Sequence, residues 1–262
     1  MYTASQIHVV PPFRGSAVKF SQPVLRDVSR PATSCLGCSL RKICMPVDVD
    51  EPDAKDLFAR LVSTRVRLHK GDVLFRAGDR FTALYGIRMG SCKTVMLTDD
   101  GSEQVAGYHL PGEIIGTEGI ATDMHVSQAV ALEDSEVCTL PFERIEALAH
   151  EDAAFQRRLY RLFSDAIARE RGISLMLGTM RAEQRLASFL LDLAHRYHAR
   201  GYSSTEFVLR MTREEIGSHL GLKLETVSRL FSRFDEEGLI EVRGRVVKLV
   251  DRIGLQHLIA AS

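Results

Sequence analysis

Apolar and polar residues follow two different rhythms along this chain of 262 residues. Between residues 65 and 140, short runs rich in β-branched and aromatic residues are separated by recurrent glycines. Many short strands at near-even spacing are typical of an antiparallel barrel or roll. Asp99-Asp100-Gly101 is predicted to be a hairpin turn between two of these strands. The predicted strands cover residues 73–75, 84–87, 94–97 and 105–108, with one or two more within 127–140.

From residue 152 to residue 180, the apolar positions recur every three or four residues, which predicts one long helix. The apolar seam of such a helix needs a partner, and a parallel second copy of the chain is the simplest one. Packing of the helix on its own barrel is the alternative. The seam consists of Phe155, Leu159, Leu162, Ala166, Glu170, Ile173, Leu177 and Met180.

Glu170 interrupts this seam with a charge. In a parallel dimer the two Glu170 carboxylates would approach each other, and like charges in a partly dry interface repel. We therefore predict that Glu170 opposes dimerisation and acts as a dimer switch. The alternative is that the partner's Arg169 or the partner's Arg171 pairs with Glu170, which would make the dimer permanent.

The last part of the chain, residues 184–262, carries the pattern of a winged helix-turn-helix. A helix is predicted around residues 186–197, and two more flank a sharp turn, the second of them at 224–235. The stretch 239–250 then alternates around Arg243-Gly244-Arg245, as expected for a two-stranded wing.

The turn between the two helices has the most specific spacing in the chain. Thr212 and Glu215 form a capping box that starts the first helix. Gly221 can adopt the left-handed conformation of the turn. Gly217 leaves room where the two helices nearly touch, and Val227 of the second helix fills the gap. This spacing is typical of a helix-turn-helix that reads DNA.

Three thiols lie within ten residues, at Cys35, Cys38 and Cys44. Thiolates at this spacing favour zinc or an iron–sulfur cluster, and a four-coordinate site needs one more ligand from elsewhere. A disulfide framework does not suit a chain of this size with five cysteines. Structural zinc sites usually pair two short Cys/His knuckles. The lack of a second knuckle therefore favours the cluster, although spacing alone leaves zinc open.

The composition restricts the class of protein but does not indicate a function. The formal net charge is zero, but residues 184–262 hold 12 Lys/Arg against 10 Asp/Glu, a weak hint of a DNA-binding end. No apolar run is long enough to span a bilayer, and the first residues lack the pattern of a signal peptide. With its free thiols, the chain is expected to be cytoplasmic.

The cysteine run and the turn motif together resemble the oxygen-sensing regulators of the FNR type in the CRP/FNR superfamily, over about residues 35–250. Cys35, Cys38 and Cys44 match the ligand run of that family, and Glu136-Val137-Cys138-Thr139-Leu140-Pro141-Phe142-Glu143 resembles the segment that supplies the fourth ligand. Cys92 lies elsewhere and is excluded. The resemblance implies a [4Fe-4S] cluster on Cys35, Cys38, Cys44 and Cys138, whose destruction by oxygen dissolves the DNA-bound dimer. A zinc-bound or thiol-redox regulator of the same family is the alternative.

The resemblance extends to the second helix of the turn motif, Leu224-Glu225-Thr226-Val227-Ser228-Arg229. It implies that Glu225, Ser228 and Arg229 face base edges of double-stranded DNA, with Thr226 beside them. A carboxylate can accept from amino groups of cytosine or adenine, and Arg can donate twice to guanine. Leu224 stands where related cAMP receptors carry an Arg, so the expected operator is an inverted repeat of TTGAT and ATCAA. The implied partners are a second copy of the chain and RNA polymerase.

A cyclic-nucleotide effector is not expected. Gly112-Glu113 is present, but residues 122–127 lack the Arg that would grip the phosphate, and Asp123 would repel it. His125, a lone histidine in a polar loop, is interpreted as a surface residue rather than a haem ligand. No paired carboxylates, catalytic triad or phosphate-binding loop stands out in the sequence. The chain is therefore predicted not to be an enzyme.

The predicted architecture is therefore α+β, with an N-terminal antiparallel β-roll of the cyclic-nucleotide-binding type, a long dimerisation helix and a C-terminal winged helix-turn-helix domain. A short helix is expected at 51–62, after the cysteine run. The predicted divisions are a mobile tail at 1–34, a cluster-binding loop and sensor roll at 35–150, the dimerisation helix at 151–183 and the DNA-binding domain at 184–262.

Overall fold

The computed structural model describes Leu40, residues 60–97 and residues 103–260. Several predictions fall outside these residues: the mobile tail at 1–34, the ligands Cys35, Cys38 and Cys44, the hairpin turn at 99–101 and most of the helix at 51–62. Of that stretch, Arg60, Leu61 and Val62 are described; Arg60 and Leu61 are helical, whereas Val62 lies outside the helix.

Strands β1 to β8 form a roll of two four-stranded antiparallel sheets. Their bounds are Thr64–Leu68, Val73–Phe75, Ala83–Met89, Cys92–Leu97, Glu103–His109, Ile114–Ile115, Gln128–Ala131 and Ser135–Pro141. The first sheet has the strand order β1-β8-β3-β6, and the second has the order β2-β7-β4-β5. Each predicted strand lies within an observed one, and the stretch 127–140 contains two, β7 and β8. Strands β1 and β6 were not predicted.

Helices α1 to α6 and a third sheet complete the described chain. The helices are Phe142–Glu151, Ala153–Thr179, Ala182–His198, Arg213–Leu220, Leu224–Glu236 and Arg252–Ala260. The third sheet has the order β10-β11-β9, with bounds Ile240–Arg243, Val246–Leu249 and Glu206–Val208. The α+β architecture and the winged helix-turn-helix are thus confirmed. The short elements α1, α6 and β9 were not predicted.

Helix α2 is one continuous helix of 27 residues, as predicted. Asp152 caps its start, because the Oδ1 atom of Asp152 accepts hydrogen bonds from the backbone N–H groups of Ala154 (2.7 Å) and Phe155 (3.1 Å). At about 1.5 Å per residue, the helix is roughly 40 Å long. It is therefore long enough to pass from the β-roll to the C-terminal domain.

The predicted seam of α2 packs on its own chain at both ends. Phe155 and Leu159 join an apolar cluster on the roll, whereas Ile173 and Leu177 pack against the core of the C-terminal domain. The alternative of packing within the chain therefore holds for these residues. A different apolar stripe of α2 remains exposed and available to a partner, at Tyr160, Ile167 and Leu175.

Glu170 lies at the border between these two faces and is exposed in the single chain. Desolvation raises the pKa of its carboxyl above the ordinary value, while Arg169 acts in the opposite direction and Glu118 adds to the rise. The role of Glu170 as a dimer switch stays a prediction.

The roll and the C-terminal domain share one apolar core. Val95, Val105 and Tyr108 of the second sheet pack together with Leu186 and Phe189 of α3. Such continuity gives the two parts a fixed mutual orientation in this structure. Among the helices of the described residues, none is both long enough and apolar enough to cross a membrane.

Candidate functional site

The helix-turn-helix is built by short-range geometry. The Oγ1 atom of Thr212 accepts from the N–H group of Glu215 (3.1 Å), and the N–H group of Thr212 donates to Oε2 of Glu215 (2.7 Å). Gly221 has a φ angle of 62°. A Cβ atom at Gly217 would lie 2.6 Å from the carbonyl oxygen of Leu222, closer than such atoms pack. The capping box, the left-handed turn and the close approach of the helices are all confirmed.

Helix α5, the second helix of the motif, presents two different faces. Val227, Leu230, Phe231 and Phe234 are buried in the domain core. Glu225, Ser228 and Arg229 lie on the opposite face and are exposed, and Thr226 is half-buried beside them. The predicted DNA-reading residues thus share one exposed helix face, as insertion into a major groove requires.

The predicted wing is strands β10 and β11, joined at Gly244 with a φ angle of 63°. Arg243 and Arg245 flank this glycine and are exposed. Cations beside a recognition helix suit DNA phosphates, which carry no sequence information but fix the position of the domain.

Cys138 is the one predicted cluster ligand that lies within the described residues. It sits in β8, the strand between β1 and β3, and is fully buried. Its register partners are Arg65 on β1 and Gly86 on β3. Since directly opposed residues in a sheet point to the same face, Arg65 and Gly86 flank the thiol of Cys138.

The face of the sheet that carries Cys138 is the outer face of the roll. Val137, the preceding residue, points the other way and packs in the roll interior with Val66 and Ile87. The outer face is covered beside Cys138 by Leu40, which is fully buried. A Cβ atom at Gly86 would lie 2.9 Å from Cδ2 of Leu40, so the missing side chain leaves the space that Leu40 occupies.

Leu40 belongs to the cysteine run, two residues after Cys38 and four before Cys44. A segment of two to four residues spans at most about 7–14 Å. Leu40, a residue of the cysteine run, and Cys138 therefore lie on one face of the roll.

Charged residues border this face. Nη1 of Arg88 lies 2.8 Å from Oε1 of Glu136, and Nε of Arg65 lies 3.9 Å from the same oxygen. Two guanidinium groups thus share one carboxylate next to Cys138.

Cys92 faces the opposite environment. It lies in β4, is fully buried, and packs in the roll interior with Ala129 and Ala131. Burial, with a smaller contribution from Glu133, raises the pKa of the Cys92 thiol to about 12. A thiol in this position behaves as a small apolar residue, in line with its exclusion from the ligand set.

The interpretation of His125 as a surface residue was wrong. His125 is buried, stacks on Phe75 with ring centroids 3.8 Å apart, and has its Nδ1 atom 3.4 Å from Oε1 of Glu118. Burial alone would raise the pKa of Glu118, but hydrogen bonds from His125, the backbone and Ser127 lower it overall. The polar loop around His125 thus packs this ring against Phe75, and the composition of the loop did not indicate such burial.

A cavity of about 880 Å³ lies between the second sheet, α2 and α3. Its lining is mainly apolar, and its polar residues include Glu118, Ser127 and Glu170. Glu113, the residue that follows Gly112, is buried nearby, and both of its carboxylate oxygens accept from arginines.

A sensor-type β-roll, a long helix and a winged helix-turn-helix with an exposed reading face define the class: a DNA-binding transcription regulator, not an enzyme. Residues 184–258 match the Crp-like helix-turn-helix domain family, and residues 65–152 match the cyclic nucleotide-binding domain family. The chain belongs to the CRP/FNR family, whose helix-turn-helix regulators bind DNA and act as dimers.

Individual relatives agree with this assignment. The chain is 49% identical to the transcriptional regulatory protein btr of Bordetella pertussis, over 88% of this chain and 96% of that protein. It is 38% identical to the anaerobic regulatory protein of Haemophilus influenzae, over 87% of this chain and 88% of that protein. The structure of FixK2 from Bradyrhizobium japonicum superposes with a TM-score of 0.71 at 30% identity, covering 77% of this chain and 100% of that one.

Proposed function

We propose that this protein is an oxygen-responsive transcription regulator of the anaerobic response. Cys35, Cys38, Cys44 and Cys138 would hold a [4Fe-4S] cluster, and the protein in that state would dimerise and bind an inverted TTGAT/ATCAA repeat. When bound, such a cluster supplies a centre that reacts with oxygen. The name of the Haemophilus influenzae relative, an anaerobic regulatory protein, supports the physiological part of the proposal.

The observation that carries the proposal is the meeting of Leu40 with Gly86 beside Cys138. Leu40 belongs to the cysteine run and lies on the outer face of the roll, where Cys138 points. Cys92 points into the roll interior and is out of reach of the same centre. This difference supports a ligand set of three thiols from the run together with Cys138.

The residues around Cys138 would contribute to the site in distinct ways. Gly86 leaves the space that the side chain of Leu40 fills. Arg65, which is buried, lies opposite Cys138 on the same face of the sheet. Glu136 keeps Arg65 and Arg88 in place.

On the DNA side, the exposed face of α5 would enter the major groove. Arg229 would donate to a guanine, and Glu225 would accept from an amino group of cytosine or adenine, with Ser228 on the same edge. Thr226, half-buried at the margin of this face, would complete the contact. RNA polymerase as a further partner stays a prediction.

A cyclic nucleotide would find poor conditions in the cavity. The engagement of Glu113 by arginines leaves its carboxylate occupied, and Glu118, held ionised, would repel a phosphate. These contacts support the expectation that the protein takes no cyclic nucleotide.

The proposal is tested by the affinity of the protein for a fluorescent operator duplex, with protein purified without air. We expect tight binding to the TTGAT/ATCAA repeat, and a loss of at least tenfold after exposure of the same sample to air. A duplex with both half-sites scrambled is the control. Equal affinity before and after air would contradict the proposal, and an affinity that instead follows added zinc or a thiol reductant would support the zinc or thiol-redox alternative.

A further inference from the structure

A buried carboxylate links three parts of the molecule. Glu113 lies in the loop between β5 and β6, and its side chain is 5% exposed. Arg196 of α3 grips it through two bonds, from Nε to Oε1 (3.0 Å) and from Nη2 to Oε2 (2.7 Å). Arg200, four residues further along the chain, reaches Oε1 at 2.5 Å. Arg169 of α2 lies 3.4 Å from Oε2.

The backbone of the roll completes this cluster. The N–H group of Leu110 donates to Oε2 of Glu113 (3.1 Å), which fixes the carboxylate in its own loop. Nη2 of Arg196 donates to the carbonyl oxygen of Tyr108 (2.5 Å), and Arg200 donates to that of Pro111. Bidentate pairing of this kind fixes orientation as well as distance. One loop of the roll therefore holds the first helix of the DNA-binding domain at Arg196 and the turn that follows this helix at Arg200.

The charge of the cluster explains why the carboxylate is needed. Burial would raise the pKa of Glu113, but the arginines, Arg196 above all, lower it to about 2, so the group is ionised at neutral pH. Without this charge, three buried or half-buried guanidinium groups would face each other with Asp192 as the remaining acid beside Arg196 (3.2 Å). Removal of one partner from a buried charge cluster leaves the others unpaired, which is the costly change.

A second attachment lies at the free edge of the second sheet. Strand β5 is the edge strand, and the N–H group of Val105 donates to Oγ of Ser218 in α4 (2.9 Å). His219 of α4 contacts the carbonyl oxygen of Val105 through Nδ1 (3.2 Å), and Lys93 pairs with Glu215 (2.7 Å). The first helix of the turn motif thus covers an edge that would otherwise be unpaired.

We propose that Glu113 is a positioning residue for DNA recognition: it fixes the DNA-binding domain on the roll and thereby sets the separation of the two recognition helices in the dimer. Helix α2 carries both Arg169 and the exposed stripe available to a partner, so the same cluster relates the dimer axis to α5. Two half-sites must lie about one helical turn of DNA apart to be read together, and a fixed separation makes the dimer selective for that spacing. This inference rests on the proposed binding of an inverted repeat.

The test uses the full-length protein purified without air, with Glu113→Gln as the variant and Glu183→Gln as its matched control. Glu183 also pairs with an arginine, Arg233 at 2.7 Å, but both residues belong to the DNA-binding domain. Affinity is measured for three kinds of duplex. The first is the repeat with its half-sites about one helical turn apart, here called the native spacing. The others are the repeat with two base pairs added between the half-sites, and a single half-site.

We expect wild type and Glu183→Gln to lose at least tenfold in affinity when the spacing changes. Glu113→Gln should bind the native repeat about tenfold more weakly, bind the single half-site as wild type does, and discriminate between spacings by less than threefold. A folding defect would instead weaken binding to every duplex. Retention of the wild-type spacing preference by a folded Glu113→Gln protein would overturn the proposal.

Two further measurements cover the other outcomes. If Glu113→Gln does not fold, Arg200→Gln is used instead, because Arg200 is a more peripheral member of the cluster. The ratio of its affinities for the native and the altered spacing should fall to about the square root of the wild-type ratio. An unchanged ratio would overturn the proposal. If wild type binds none of the duplexes, the proposed function fails, and hydrogen exchange at Val105 decides the positioning role. We then expect at least tenfold faster exchange in Glu113→Gln than in Glu183→Gln, and equal rates would contradict it.

Discussion

The DNA-reading helix and the face around Cys138 are built in opposite ways. The capping box, the turn and the predicted reading residues of the first lie within one continuous stretch, from Thr212 to Arg229, and Glu225, Ser228 and Arg229 are exposed. The second joins Leu40 to strands β1, β3 and β8, and both Leu40 and Cys138 are fully buried. An exposed site made of separate contacts should lose function in steps, whereas a buried ligand set should fail when one member is lost.

The largest effect is expected at the ligands themselves. Cys138→Ser should abolish the visible absorbance and the bound sulfide of protein purified without air, as should Ser at Cys35, Cys38 or Cys44. Cys92→Ser is the matched control, because that thiol is equally buried but faces the roll interior. Loss of the chromophore in Cys92→Ser, with Cys138→Ser intact, would reverse the assignment.

A smaller effect is expected where the cysteine run docks. Leu40→Ala should cost about 2–5 kcal/mol of docking energy, because the space above Gly86 would be left unfilled. The chromophore should then bleach in air at least about threefold faster than in wild type, as followed by absorbance.

The control for this change is Leu148→Ala, a buried leucine of the apolar cluster on the same outer face. It should lower the free energy of unfolding by a similar amount and leave the bleaching rate unchanged. If both variants bleach at the same rate, Leu40 acts through general stability and has no special role at Cys138.

Substitutions on the exposed face of α5 are expected to have a smaller effect, measured as DNA affinity. Arg229→Ala should cost about 1–3 kcal/mol and relax specificity mainly at one base pair of each half-site, if Arg229 is bidentate to guanine. Binding to a panel of operators with single substitutions measures this. Arg245→Ala in the wing is the comparison, expected to weaken all sequences alike. Uniform weakening by Arg229→Ala would make Arg229 a phosphate contact instead.

The smallest effect is expected at Glu170, whose exposed carboxylate is screened by solvent. Glu170→Ala should favour the dimer of cluster-free protein by about threefold to tenfold and raise its operator binding in air. Sedimentation at equal concentrations compares it with wild type and with Asp165→Ala, an exposed acid on the same helix. A less associated Glu170→Ala protein would show that pairing with the partner, not repulsion, governs this position.

The same contrast explains what could be read from the sequence. Gly217, Gly221 and Val227 act on neighbours a few residues away, so their spacing predicted the turn motif correctly. The strands of the roll were also predicted from local composition. The apolar seam of α2 was harder, because a periodic pattern does not tell whether the helix packs on a second copy or, as at Phe155 and Ile173, on its own chain.

Contacts between residues distant in sequence could not be predicted from such local patterns. Whether Cys92 or Cys138 points outward depends on strand register, in which a shift of one residue reverses the face. The resemblance to the FNR type, rather than spacing, is the basis for predicting Cys138 as the fourth ligand, and this stays a prediction. Arg196 and Arg200 lie more than 80 residues from Glu113 in sequence, and nothing local joins them to it. His125 was misjudged because a polar loop can still bury a ring when aromatic residues such as Phe75 stack on it.

Chemical analysis of the wild-type protein, purified without air, tests the central claim most directly. Iron, acid-labile sulfide and zinc would be measured per chain on one sample, together with its absorbance spectrum. The account predicts about four irons and four sulfides per chain, with a broad visible absorbance that is lost in air. A colourless protein that holds one zinc and no sulfide would contradict it.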